Sequence, residues 1–593
     1  MNQIKLFSIF ILIYCNNINS EQQSWIRINQ LGYLTNSVKV AVLISKDDFY
    51  PDSFLIKDAY TESVIFNSGK LKSFADTWSF KSTFRLDFSE LNTPGTYFIE
   101  CAGIRSPVFK IDNNVYDGTA DFLLKYMRQQ RCGYNSFLKD SCHTQDGFII
   151  YHPELDSSFI DVTGGWHDAS DYLQYVTTSA NATYHMMFAY LQNPDSFDDK
   201  YDADGNEGSN GLPDILDEAQ WGIDWLLKMN PEKDFMFYQI SDDRDHLGFR
   251  LPTEDTVSYG KGLERPVYFA TGKPQGVMKY QNRSNGLASI AGKYASSFAL
   301  ASRLFESYYP ELSETLLQKA VDAYETGYNN PGVCQTAPCR APYFYEEENY
   351  TDDMQLAAVQ LYNITNNGRY LVDAVRFGKV EPVTPWMGAD TAKHYEWYPF
   401  INLGHYWLAE NNRNEERDLF ISYLKRGIDS VFQRGKDNPF NIGIPFIWCS
   451  NNLIAAMLTQ CRLYNELTGD ESYVIMEAAL RDWLFGCNPW GTSMIVGLPA
   501  NGDYPSDPHS AFTHLYNYPI DGGLVDGPVY STIYSKLIGI TLYNPDEYAE
   551  FQNDHVVYHD DYGDYSTNEP TMDGTAGLIY YLSALQKLGK ANE

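Results

Sequence analysis

Between residues 24 and 112 the apolar positions come in short runs divided by turns. Lys39-Val40-Ala41-Val42-Leu43-Ile44, Ser53-Phe54-Leu55-Ile56 and Gly95-Thr96-Tyr97-Phe98-Ile99-Glu100 are strand-like, and segments such as Thr93-Pro94-Gly95 separate them. Ser82-Thr83-Phe84-Arg85-Leu86-Asp87-Phe88 alternates cleanly, so Phe84, Leu86 and Phe88 would share one face. Short strands at this spacing predict a β-sandwich over residues 21–112.

The texture changes near Tyr116. Helical patterns then dominate, as over 119–129, 215–229, 288–308, 313–324, 352–363, 454–467, 474–485 and 575–588. Long loops rich in Gly, Asp, Tyr and Pro lie between them. Residues 113–593 therefore read as an all-α toroid or bundle with its site built from loops at one end. Ahead of both regions, Lys5, the apolar run 6–14 and the polar stretch 15–20 read as a secretory signal over 1–20, which places the mature protein outside the cell. Cys15 is the position a lipid anchor would use. No other segment resembles a transmembrane helix.

Composition narrows the partners. Over 593 residues, 77 Asp and Glu against 44 Lys and Arg give a formal charge of −33, which argues against nucleic acid and suits a neutral substrate with bound cations. Aromatic residues make up 15% of the chain; those outside the core would suit the flat C–H faces of sugar rings.

The most informative stretch is Asp161-Val162-Thr163-Gly164-Gly165-Trp166-His167-Asp168-Ala169-Ser170-Asp171-Tyr172. Two carboxylates three residues apart can hold a water and deprotonate it; a helix N-cap is the plainer use of the same residues. Near the C-terminus, Glu569 in Ser566-Thr567-Asn568-Glu569-Pro570 sits in a polar loop just before an apolar helix. A Glu beside aromatic groups can stay protonated and act as an acid. An acid and a base on opposite sides of a sugar linkage, about 6.5–9.5 Å apart, would hydrolyse it with inversion.

Together these segments resemble glycoside hydrolase family 9, the cellulase family with an (α/α)6 barrel. Gly164-Gly165-Trp166-His167-Asp168-Ala169-Ser170-Asp171 is similar to its base motif, with Ser170 where Gly is commoner, and Asn568-Glu569 to its acid motif. Phe485-Gly486-Cys487-Asn488-Pro489-Trp490-Gly491-Thr492-Ser493 and Asn210-Gly211-Leu212-Pro213-Asp214-Ile215-Leu216-Asp217-Glu218 resemble two more. Arg27-Ile28-Asn29-Gln30-Leu31-Gly32-Tyr33 resembles the opening of the immunoglobulin-like domain found in one branch. The resemblance implies Asp171 as general base, Asp168 as its partner on the water, and Glu569 as general acid. It implies a sugar contact for His509, although Ser510-Ala511 replace the rest of the family's Pro-His-His-Arg run.

Cys132, Cys142, His143 and His167 form a nitrogen–sulfur donor set of the kind zinc prefers, with a Cys132–Cys142 disulfide as the alternative; the resemblance favours a structural zinc. Asp202, Asp204 and Asn206 alternate as hard-cation loops do, without the closing Glu of an EF-hand. Asp352 and Asp353, with Asp390, resemble a calcium site of the family. Trp397, Trp490 and Trp166 are candidate sugar platforms, and no organic cofactor is expected. These readings predict a secreted endo-β-1,4-glucanase acting on cellulose or a related β-glucan. An exo-acting glucosidase or glucosaminidase, and a non-catalytic carbohydrate-binding protein, are the alternatives.

Overall fold

The computed structural model describes residues 23–74, 77–340, 345–388, 398–411 and 415–592. Residues 1–20, Asp390 and Trp397 lie outside them, so the signal, the Cys15 anchor, one expected calcium ligand and one expected platform have no structural description.

Nine strands come first: β1 (Ser24–Arg27), β2 (Val40–Ser45), β3 (Phe54–Asp58), β4 (Val64–Ser68), β5 (Leu71–Phe74), β6 (Ser82–Asp87), β7 (Gly95–Cys101), β8 (Ile104–Arg105) and β9 (Phe109–Ile111). They make two antiparallel sheets, β1-β2-β6-β5 and β4-β3-β7-β8, with β9 also on β7. Phe84, Leu86 and Phe88 do share a face and fill the core between the sheets. In β2 every residue is buried, which explains its unbroken apolar run. Ala41 and Leu43 enter the sandwich core, while Val42 and Ile44 enter the core of the helical region. A strand covered on both faces has no polar side to show.

The helices are α1 (Thr119–Gln129), α2 (Val176–Gln192), α3 (Asp214–Met229), α4 (Ala288–Phe305), α5 (Pro310–Asn329), α6 (Thr351–Thr365), α7 (Gly368–Gly378) and α8 (Pro385–Gly388). They continue as α9 (Leu403–Glu410), α10 (Arg417–Gly435), α11 (Ser450–Thr468), α12 (Val474–Leu484), α13 (Ala511–Tyr516), α14 (Ser531–Tyr534) and α15 (Met572–Ala591). Their packing forms a closed cycle: α2 lies on α4, α4 on α6, α6 on α9, α9 on α11, α11 on α15, and α15 on α2. Each of these six carries an outer partner, namely α3, α5, α7, α10, α12 and α1 in the same order. The residue patterns explain the two roles. Outer α7 buries Tyr370, Asp373, Ala374, Phe377 and Gly378, a single helical stripe. Inner α2 is buried almost all round from Val176 to Ala189.

The Arg27–Tyr33 run joins the two regions. Arg27 donates to the Pro489 carbonyl at 2.7 Å, Asn29 Nδ2 to Asp482 Oδ1 at 2.8 Å, and the Gln30 amide to the Phe485 carbonyl at 2.9 Å. Gly491 (φ 77°) passes so close to Arg27 that a Cβ there would lie 2.1 Å from its guanidinium. The Phe485–Ser493 motif is thus an interdomain seat. Trp490 is only 2% exposed, packed edge-on to Trp483 at 5.9 Å. This corrects the expectation that Trp490 is a sugar platform, because a ring without a free face cannot stack on a sugar. Trp166, fully buried, is excluded for the same reason.

Among the described residues, no helix is long and apolar enough to cross a membrane.

Candidate active site

The expected catalytic residues gather at the N-terminal ends of inner helices, where unpaired amides favour negative charge. The Asp168–Asp171 loop precedes α2, Tyr345 precedes α6, Trp448 precedes α11, and Glu569 precedes α15. The loop before α2 is held from several sides. Gly164 and Gly165 both have positive φ and press on Trp225, leaving no room for a Cβ at Gly165. The Trp166 indole N–H donates to Glu218 at 2.7 Å, and Glu218 in turn pairs with buried Arg131. The Cys132 amide donates to the Gly165 carbonyl and the His167 amide to the Gln130 carbonyl, both at 2.9 Å.

One contact brings the two distant segments together. The Ser170 amide donates to Glu569 Oε1 at 3.0 Å, and the Ser170 hydroxyl donates to the same oxygen. Ser170 stands between Asp168 and Asp171, so all three carboxyl groups share one small region. Asp168 accepts from the Thr178 hydroxyl at 2.5 Å and the Tyr345 hydroxyl at 3.2 Å. Asp171 Oδ1 accepts from the Leu173 amide at 3.0 Å, and its Oδ2 lies 3.1 Å from His246 Nε2.

The electrostatics separate these groups. Burial, reinforced by the nearby Asp573 and Asp171 charges, pushes Asp168 well above the usual carboxylate range. Burial also raises Glu569; His509 opposes the shift and Asp171 adds to it. For His246, burial opposes protonation, but the bond to Asp171 and the charges of Asp171, Asp245 and Glu569 prevail and lift it to about 9. At neutral pH His246 is therefore protonated where it meets Asp171.

His509 lies beside Glu569, its amide donating to the Asn568 carbonyl at 2.9 Å and its Nδ1 bonded to the Tyr562 carbonyl. His246, Tyr345, Trp448 and Asp526 were not singled out from the sequence. Asp526 is buried, shares a backbone hydrogen bond with Glu569, and accepts from the half-buried Trp448 indole at 2.7 Å. Trp448 also packs on Tyr565 at 5.4 Å, so it offers the aromatic surface that Trp490 does not. Tyr345 and Trp448 stand just ahead of α6 and α11, the one local signal they carry, whereas His246 and Asp526 lie in loops that carry none.

The four expected zinc donors converge. Cys132 Sγ lies 3.8 Å from His143 Nδ1, Cys142 Sγ 4.0 Å from His167 Nε2, and the two imidazole nitrogens are 3.2 Å apart. Tetrahedral zinc with bonds of about 2.3 Å to sulfur and 2.0 Å to nitrogen puts such donors about 3.3–3.8 Å apart. Both thiols are free rather than joined in the alternative disulfide. His143 Nε2 meets Asp255 at 3.1 Å, the carboxylate–imidazole support usual behind a bound metal. The residues thus fit the ion.

Of the two expected calcium sites, the one at Asp352 and Asp353 has a further neighbour that the sequence did not suggest. There buried Lys293 lies 2.8 Å from Asp353 and 2.7 Å from Glu347, with Asp352 adding to its field, so the carboxylates have a cationic partner within the protein. In the other loop Asp202 accepts from the Asn206 amide at 2.9 Å, Asn206 Oδ1 accepts from the Tyr134 hydroxyl, and Asp204 is exposed. Among the described residues, neither Asp202 nor Asp204 joins a cluster of three metal-capable side chains. The loop closes on its own hydrogen bonds.

Both regions of the chain match known proteins. The model of Glycosyl hydrolase family 9 matches residues 116–582, and that of the cellulase N-terminal ig-like domain matches 21–106. The chain is 24% identical over 598 residues to Endoglucanase D of Acetivibrio thermocellus, covering 97% of this chain and 82% of that protein. It is 27% identical over 607 residues to the xyloglucan-specific endo-beta-1,4-glucanase BoGH9A of Bacteroides ovatus, covering 95% and 94%. A Zn-binding triple mutant of GH family 9 endoglucanase J30 superposes with a TM-score of 0.74 at 22% identity, covering 93% of this chain and 99% of that one.

Proposed function

The chain belongs to glycosyl hydrolase family 9, and we propose that it is an inverting hydrolase of β-1,4-glucosidic linkages in cellulose-like glucans, its six paired helices forming an (α/α)6 barrel. The observation that carries the reading is the Ser170–Glu569 contact, which joins the acid to the loop bearing Asp168 and Asp171. In this mechanism Asp171, hydrogen-bonded to His246, takes a proton from water. Asp168, whose pKa burial raises, helps to hold that water. Glu569 gives its proton to the departing glycosidic oxygen. Zinc bound by Cys132, Cys142, His143 and His167 would supply no chemistry to the sugar; it would pin the residue immediately before Asp168.

The relatives' names are those of enzymes that cut internally in cellulose or xyloglucan, whereas the ring contacts described below favour action at chain ends in this chain. Purified Asp171→Asn and Glu569→Gln variants test the mechanism by release of reducing ends from soluble β-glucans. Each variant should lose about 10²–10⁴-fold in kcat while still binding oligomers. Equal turnover by the wild type and both variants would refute the assignment; binding with no turnover by any of the three would favour the carbohydrate-binding alternative.

A further inference from the structure

The segment bearing His246 runs on to Arg250 and Asp255, and it is fastened on the base side of the site. The Tyr172 amide donates to Asp245 at 2.9 Å, Arg250 binds Asp245 and Asp255 at 2.7 Å each, and Asp255 reaches His143. Three residues beyond His246, however, Phe249 meets the acid side. Its ring lies 4.8 Å from His509, 5.7 Å from His514 and 6.1 Å from Tyr562. Tyr562 is itself sandwiched between His514 at 3.5 Å and Tyr543 at 4.6 Å, both nearly parallel to it. A second tie crosses nearby: the Tyr516 hydroxyl donates to Glu254 at 2.6 Å.

We propose that Phe249, Tyr562 and His514 form a wall that closes one end of the substrate cleft and directs hydrolysis to chain ends. This inference rests on the hydrolase reading above. Asp171 and His246 belong to one bank, Glu569 and His509 to the other, and the two meet at the Ser170–Glu569 contact. A polymer chain running through the cleft would need the banks to stay apart on both sides of the carboxyl groups. Here they are joined on one side by the tilted contacts of Phe249 with His509, His514 and Tyr562, and such aromatic pairs contribute attraction beyond their buried area. A glucan therefore enters with an end against the wall, and only a short fragment is released from that side. The phenol of Tyr562, the imidazole of His514 and the backbone around Phe249 would then meet the terminal sugar's hydroxyl groups.

The full-length protein and a Phe249→Ala/Tyr562→Ala variant are assayed on soluble cellulose, following viscosity and reducing ends together. The wild type should release one or two short products with little early viscosity loss. The variant should lose several-fold more viscosity per bond cut. A Tyr516→Phe variant, which removes only the second tie, should move the same ratio in the same direction and guards against misfolding of the double variant. Early viscosity collapse by the wild type, or an unchanged ratio in well-folded variants, overturns the wall. Absence of any cleavage by the wild type overturns the hydrolase reading itself, and with it the wall.

Discussion

Ser170→Ala is the sharpest perturbation of the acid. Both donors of residue 170 converge on Glu569 Oε1, so the catalytic proton is steered to Oε2. Both donors also stabilise the ionised carboxylate, lowering a pKa that burial otherwise raises. A hydrogen bond to a charged group contributes about 1.5–3 kcal/mol. At about 1.4 kcal/mol per pKa unit, losing the hydroxyl should raise the acid by about one to two units. Ser170 is half-buried, so water will restore part of the bond and about one unit is expected. The general acid works only while protonated, and activity falls as pH rises through its pKa. Raising that pKa moves the alkaline limb of the kcat/KM profile to higher pH, by about one unit in Ser170→Ala. Ser170→Thr, which keeps the hydroxyl, should leave the limb near its wild-type position. A limb that stays in place in Ser170→Ala, or shifts to lower pH, refutes the reasoning.

Cys142→Ser should lower bound zinc, measured by atomic absorption, from about one ion per chain toward none, and Tm should fall with it because a donor to the pinned loop is lost. Lys293→Met leaves Glu347 and Asp353 buried beside no cation, and denaturant unfolding should show a loss of about 3–5 kcal/mol. Added calcium should not raise Tm of the wild type through this site, since the ammonium holds the place an ion would take.

The sandwich was legible because its apolar runs are short, divided by turns and in places alternating in sequence, as in β6, even though β2 and β6 are buried on both faces. Helices of both layers were legible from their apolar periodicity, outer α1, α3, α5 and α12 as well as inner α4, α6, α11 and α15. Of the twelve helices in the ring, outer α7 and α10 and inner α2 and α9 were missed. Helix α2 escaped the sequence reading because burial on nearly every side erases helical periodicity, and its Thr-rich first turn carries no helix preference. Asp168, Asp171 and Glu569 could be chosen from local motifs, but nothing local reports that Ser170 touches a residue 399 positions away. His246, Tyr345 and Asp526 come from separate loops and meet the site only after the ring of helices closes. Trp490 shows the opposite error. A conspicuous tryptophan in a Gly- and Pro-rich loop looked like a platform, yet that loop serves the domain interface. Lys293 likewise gave no sign in sequence that it would stand among carboxylates contributed by a different segment.

The central claim is that water attacks from the Asp171 side while Glu569 protonates the leaving oxygen opposite. Proton NMR of the anomeric region during hydrolysis of a β-1,4-linked gluco-oligomer reads this directly, before mutarotation mixes the products. The account predicts that the α-anomer appears first and the β-anomer only later. Initial release of the β-anomer would mean a retained configuration, and opposed acid and base could not have produced it.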